Sequence, residues 1–300
     1  MHTTLNIIKI IQIFRISPFI LALSLGTSFL SCSKDDDPSI QDPSTSINPG
    51  NDPNFKIVAN IDAGFRNFNR KVIVFDIPIY AVKAVEDNKL LHAANLMAQY
   101  LDNNEDGIID NATVHNSMKT NKAFLFMWKT EADRDNFNPP SGFSVGQDLG
   151  ADETVPKWHT NGHTGTFDAA IEEVWHIITN GGHERAYPNI FSSQSGSVIS
   201  EAMDVARGGN FQTPPSSYPT NAWYTYDDTT CDYNCQVGEY LYWVMSSMLG
   251  AQENRLNEID NEWKLNTRAK VESGDVKAWA IFTNPIYKMP TVLPDGTYKR

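Results

Sequence analysis

Cysteine is scarce: Cys32, Cys231 and Cys235 are the three in 300 residues, and no second Cys or His pair flanks the last two to complete a thiolate metal site. Basic residues are also short, 24 against 36 acidic, for a formal charge of −12. Lys9 and Arg15 are the only charges among the first 31 residues, so the remainder carries 22 basic and 36 acidic groups, or −14. Such a surface repels nucleic acid and anionic lipid and draws cations. No basic patch interleaved with aromatics is present, which argues against a nucleic-acid partner. Internal repeats are absent. The one sustained apolar run, about Ile16 to Leu30, is short for a membrane span. Hydrophobic residues make up 41% of the chain, enough for a sizeable core.

Residues 1–31 read as a signal peptide, with Lys9 and Arg15 ahead of the apolar run. Its end, Phe29-Leu30-Ser31-Cys32, resembles the lipobox of bacterial lipoproteins, with Phe29 where leucine is usual. That resemblance implies a lipidated Cys32, and the following Ser33-Lys34-Asp35-Asp36-Asp37 is similar to a surface-export signal. The expected location is therefore an outer-membrane lipid anchor facing the cell surface. Residues 32–53, rich in Ser, Asp, Pro, Asn and Gly, read as a flexible tether. Cys231 and Cys235 remain as an even pair, expected to form a disulfide in an exported, oxidising setting.

The rest, residues 54–300, is expected to form a single α+β domain, monomeric, with a small N-terminal sheet and a mainly helical second half. Lys71–Phe75 and Ala123–Trp128 read as strands, and Pro78 as an edge or a strand end. Asp87–Leu101 reads as a helix on the stripe Leu90, Leu91, Ala94, Met97, Ala98 and Leu101. Val198–Arg207 and about Gln236–Leu249 read as further helices, the latter carrying Glu239. The aromatics between Asn221 and Tyr242 are core packing or the lining of a cleft.

Asp102-Asn103-Asn104-Glu105-Asp106-Gly107-Ile108-Ile109-Asp110 resembles an EF-hand or dockerin calcium loop. Alternating Asp102, Asn104, Asp106 and Asp110 would aim oxygens inward, Gly107 allows the turn, and Ile108 offers its carbonyl. Thr113 stands where the bidentate acid belongs, so the implied Ca²⁺ site is a weakened one.

The stretch from Thr166 to His183 organises the chain. It reads as one amphipathic helix with Thr166 as N-cap and a stop at Asn180, Gly181 and Gly182. Phe167, Ala170, Ile171, Val174, Ile177 and Ile178 cover an apolar face, while Glu172, Glu173 and His176 share the narrower polar arc beside Asp168 and Thr179. Glu172 and His176, four apart, can converge on one divalent cation. His159, His163 and His183 lie close by in sequence.

Glu172-Glu173-Val174-Trp175-His176 is similar to the zincin signature His-Glu-x-x-His, with glutamate for the first histidine. Downstream, Ser200-Glu201-Ala202-Met203-Asp204 resembles the second helix of gluzincin peptidases. The resemblance implies a zincin-like fold holding Zn²⁺ through Glu172, His176 and Glu201, with Glu173 as general base and Asp204 orienting a histidine. His183, past Gly181-Gly182, competes as a ligand in the metzincin manner, one residue too far. Glu173 would take a proton from a zinc-activated water attacking a peptide or other acyl carbon, with His159 or His163 available to the oxyanion. Glutamate at 172 leaves less charge on the metal than histidine would, and a less acidic water. The two expectations are thus a surface-anchored, zinc-dependent, peptidase-like hydrolase, or a non-catalytic lipoprotein that binds glycan or peptide and keeps calcium as a clip.

Overall fold

The computed structural model describes residues 54–300; the signal-peptide, Cys32 and tether assignments lie outside them. Five strands form one mixed sheet: β1 (Val58–Ala59), β2 (Arg70–Val74), β3 (Ile77–Ala81), β4 (Phe124–Trp128) and β5 (Gly146–Gly150), in that spatial order. β1, β2 and β3 pair antiparallel, while β3, β4 and β5 pair parallel. The β2–β3 hairpin closes on Phe75 and Asp76, both at positive φ (45° and 66°), as a two-residue turn matched to strand twist requires. Pro78 is the second residue of β3, just before β4 begins to pair at Ile79, so its missing N–H leaves no gap in that ladder.

The long crossover between parallel β3 and β4 contains α1 (Asp87–Leu101) and α2 (Ala112–Thr120). After β5 the named elements are helical: α3 (Ala170–Ile178), α4 (Val198–Arg207), α5 (Tyr233–Met248), α6 (Arg268–Gly274) and α7 (Val276–Phe282), with shorter turns between. The architecture is therefore mixed α/β, with two helices inserted between β3 and β4 and a mainly helical second half after β5. One continuous apolar core runs from Phe55 and Val72 through Trp175 to Val244 and Tyr298. The aromatics of the 221–242 segment join it, since Tyr224, Tyr233, Tyr240 and Tyr242 are all buried; they do not line an open cleft. Among the described residues no helix is long and apolar enough to cross a membrane.

Two expectations for the central helix change. Thr166 does not cap it: α3 starts at Ala170, and Asp168 accepts from the Ala170 N–H at 3.4 Å. Nor do Gly181 and Gly182 stop the chain, which continues through a π-helical turn, Thr179–His183. The glycines serve proximity instead. A Cβ at Gly182 would lie 2.6 Å from Val114 Cγ1, and one at Gly181 2.8 Å from Ala123 Cβ, so their bareness lets α2 close against the turn.

The C-terminal segment is strapped across α1. The Asn103 side-chain oxygen accepts from the Thr291 and Val292 N–H groups, and Gln99 Oε1 accepts from those of Asp295 and Gly296. Tyr298 donates its hydroxyl to Asp102 at 2.5 Å, and its carbonyl accepts from Asn54.

Candidate metal centre

The polar arc of α3 does not face water. Glu172 and Glu173 are 5% and 6% exposed and His176 is fully buried, because α1, β5 and α5 close around the helix. Glu172 and His176, one turn apart, point to the same place, where α5 delivers Glu239. Donor atoms of these three lie within 4.8 Å of one another. The His176 Nε2 stands 3.7 Å from Glu172 Oε1 and 3.6 Å from Glu239 Oε1. Neither ring nitrogen of His176 nor Glu239 Oε1 has a hydrogen-bond partner.

Those distances discriminate between two kinds of cluster. Ligand atoms bound tetrahedrally at about 2.0–2.2 Å stand about 3.3–3.6 Å from each other, beyond hydrogen-bond contact. The two separations from His176 Nε2, 3.6 and 3.7 Å, sit at the top of that range, and orphaned buried polar atoms are what an ion would satisfy. A second group, His92, His159 and Asp168, is closed around its carboxylate, although His159 Nδ1 is buried without a partner. Both imidazoles give an Nε2 contact to the same Asp168 oxygen, at 2.6 and 2.8 Å, ordinary hydrogen-bond lengths. Asp168 Oδ1 also accepts from the Val155 N–H at 2.7 Å. Burial alone would raise this carboxyl, but the bonds from His159 and His92 outweigh it and hold it well below the usual range.

Carboxylates crowd around the open triad. Burial, then Glu172, Glu153, Asp148 and Glu239 in that order, push Glu173 well above the ordinary range. Burial followed by Glu172 and Glu262 does the same to Glu239. Burial and then Glu172 push Glu262 up to about 7. One Glu173 oxygen accepts from Gln147 Nε2 on β5 at 2.6 Å. Without positive charge, so many buried acids around one imidazole are expensive. A dication reverses the sign of that cost, so the donor set fits one.

The other candidates lie elsewhere. Glu201 is on α4, whose apolar positions Ile199, Ala202, Met203 and Ala206 turn inward, leaving Glu201 60% exposed and paired with Lys277 at 3.7 Å. Asp204 accepts from Arg207, Asn210 and Tyr233, and from no histidine. His183 is carried by the π turn into a separate buried pocket against Trp175 and Phe191, where burial pushes its pKa down to about 4. His159 is committed to Asp168, and His163 stacks on Trp158 at 4.3 Å. The third member of the triad is therefore Glu239, to which no local motif assigns a role. Its signal was present: it is the only charged residue in the sixteen of α5.

The calcium-like loop joins α1 to α2 as a helix–loop–helix, with Glu105 and Gly107 at positive φ. Asp102 is fully buried and accepts from the Gly107 N–H at 2.8 Å, Asp106 accepts from the Ile108 N–H at 2.8 Å, and Asp110 from the Asn103 N–H at 2.7 Å. Asn104 Oδ1 accepts from the Asp106 N–H at 3.2 Å. Cys231 and Cys235 form a disulfide, with Cα atoms 5.3 Å apart, pinning the start of α5 close to Glu239 in sequence.

The chain matches no family model, no curated protein and no solved structure.

Proposed function

We propose that this chain is a zincin-like, metal-dependent hydrolase acting on a peptide or related acyl substrate, with Glu172, His176 and Glu239 holding a divalent cation, zinc foremost. The observation that carries the reading is the buried triad itself: an imidazole with both nitrogens unsatisfied and two carboxylates at 3.6–3.7 Å. When bound, the cation would polarise the acyl oxygen and acidify the attacking water. Glu173 is next in sequence to Glu172 and is held by Gln147, a positioned carboxyl fit to take a proton from that water and return it to the leaving group. A Glu172, His176, Glu239 set brings two carboxylates where one is usual. That lowers the Lewis acidity of the ion and favours, as second reading, a non-catalytic binding lipoprotein whose structural ion is the calcium clip and whose triad holds at most a non-catalytic metal. Metal analysis and peptide turnover of wild type and Glu173→Gln decide: zinc retained with hydrolysis lost supports the hydrolase, whereas wild type with zinc and no turnover supports the second reading. Folded wild type without stoichiometric zinc removes the hydrolase and leaves the calcium-clipped binding lipoprotein.

In the same proposal, Asp102, Asn104, Asp106, Asp110 and the Ile108 carbonyl hold Ca²⁺ as a clip between α1 and α2, and Cys32 carries the lipid that anchors the chain to the outer membrane, facing outward. The helix–loop–helix setting supports the first. The Leu30-Ser31-Cys32 sequence supports the second. Detergent-phase partitioning of wild type but not Cys32→Ser is the expected outcome; equal partitioning removes the anchor.

A further inference from the structure

The segment that leads into α5 carries charge of one sign from the triad outward. Thr225 donates its N–H to the Glu262 carbonyl at 2.8 Å, and Tyr224 pairs with Trp263 in an antiparallel bridge, so this segment runs beside the turn that carries Glu262. It continues to Cys231, whose N–H donates to the Asp228 carbonyl at 3.1 Å, and then into the helix that delivers Glu239. Its side chains share the field of the triad. Burial and then Glu239, Tyr224, Glu172 and Glu262 push the Tyr226 hydroxyl up. Asp228 is among the carboxylates acting on Glu239, and Asp227 joins Glu172 in acting on Glu262. Exposure rises in steps along this wall: Glu239 and Tyr226 are 1% and 8% exposed, Asp228 and Glu262 are half-buried, and Asp227 is exposed.

The charge on the wall exceeds what the ion can neutralise. A dication cancels Glu172 and Glu239 and leaves Glu262, Asp227 and Asp228. The cation acting on Glu262 is Arg255, which is already held. Its guanidinium lies 3.8 Å over the Phe167 ring and donates to Gln252 at 2.8 Å and to Glu258 at 3.1 Å. Asp228 Oδ1 accepts from the Thr230 N–H and hydroxyl, at 2.8 and 2.7 Å, which leaves Glu262 and Asp227 to meet a ligand. The unpartnered nitrogens of His176 and the unpartnered Glu239 Oε1 account for one ion at the centre, not for the acids outside it. Like charges that are partly desolvated raise one another's energy, and an opposite charge brought among them relieves it. Resting on the reading of the triad as a hydrolytic metal centre, we propose that its substrate is a basic peptide, with a lysine or arginine side chain seated between Glu262 and Asp227 while the neighbouring acyl carbon reaches the ion.

Turnover of short fluorogenic peptides, identical but for one Lys, Gln or Glu, by the full chain in buffered zinc tests this, with anisotropy of the same peptides as a binding readout. The expected kcat/KM for the Lys peptide is at least about tenfold above that for Gln, with Glu lowest. The Lys-over-Gln ratio should shrink between about 0.1 and 1 M salt, as the Debye length falls from about 10 to 3 Å. It should collapse toward one in Glu262→Gln and in Asp227→Asn; the latter, at an exposed position, decides if Glu262→Gln does not melt cooperatively. Turnover indifferent to the varied residue overturns the proposal and leaves the hydrolase standing, as does a Lys preference that both variants keep. If no peptide is turned over, the hydrolase falls and anisotropy decides. Tighter binding of Lys than of Gln, lost in Asp227→Asn, then upholds recognition of a basic peptide, and equal binding removes it. Two equivalents of zinc in wild type and one in Glu262→Gln overturn it in favour of a second ion.

Discussion

Replacing Glu239 by glutamine should change sign with the metal. In metal-free protein, Glu239 is a carboxyl pushed up by burial and by Glu172 and Glu262, so the neutral amide removes a cost and Glu239→Gln should melt at the wild-type temperature or above it. With zinc present the same change deletes one of three protein ligands. At free zinc about 1,000 times Kd, binding adds about 4 kcal/mol to stability; a hundredfold loss of affinity leaves a tenfold excess and about 1.4 kcal/mol. The difference, about 2.7 kcal/mol, corresponds to about 5–10 °C for a folded part of this size. Scanning calorimetry of both proteins in chelator and in buffered zinc reads all four values. A wild-type melting temperature unmoved by zinc would refute the reasoning. So would an equal loss in both conditions, which would make Glu239 a packing element.

The same crowding gives a pH dependence. In metal-free protein Glu262 rises from the ordinary 4.5 to about 7, so the folded state binds the extra proton; this contribution is present below about pH 4.5 and is lost as pH climbs through 7. Denaturant titrations from pH 4.5 to 8 should show that decline in wild type and a shallower one in Glu262→Gln; parallel curves count against it. Gly182→Ala puts a methyl group 2.6 Å from Val114 Cγ1 and should cost about 1–3 kcal/mol in urea unfolding, whereas a neutral outcome would mean that α2 is free to withdraw. Calcium should raise the melting temperature of wild type and leave Asp106→Ala unmoved, and a wild type indifferent to calcium would reduce the loop to a turn.

Periodicity made α3 and its trio legible, since Glu172, Glu173 and His176 share an arc whatever covers it. What covers it is tertiary, so a face that resembles a solvated one is buried. Glu201 and Asp204 resemble a second-helix motif at a spacing somewhat longer than usual, but the inward stripe of α4 leaves Glu201 outside. The glycine pair could be read as a stop or as a close approach, and only the position of Val114 decides. Strand pairing beyond the hairpin, and the meeting of His92 with Asp168, depend on crossovers that no local pattern encodes.

The strap over α1 makes the two sides of residue 298 unequal. Tyr298 is buried on Asp102 and bonded to Asn54, whereas Lys299 and Arg300 are exposed. A fusion partner appended after Arg300 would therefore hang freely, while trimming three residues would strip the acidic loop of its lid and uncouple the far end of the fold from its beginning.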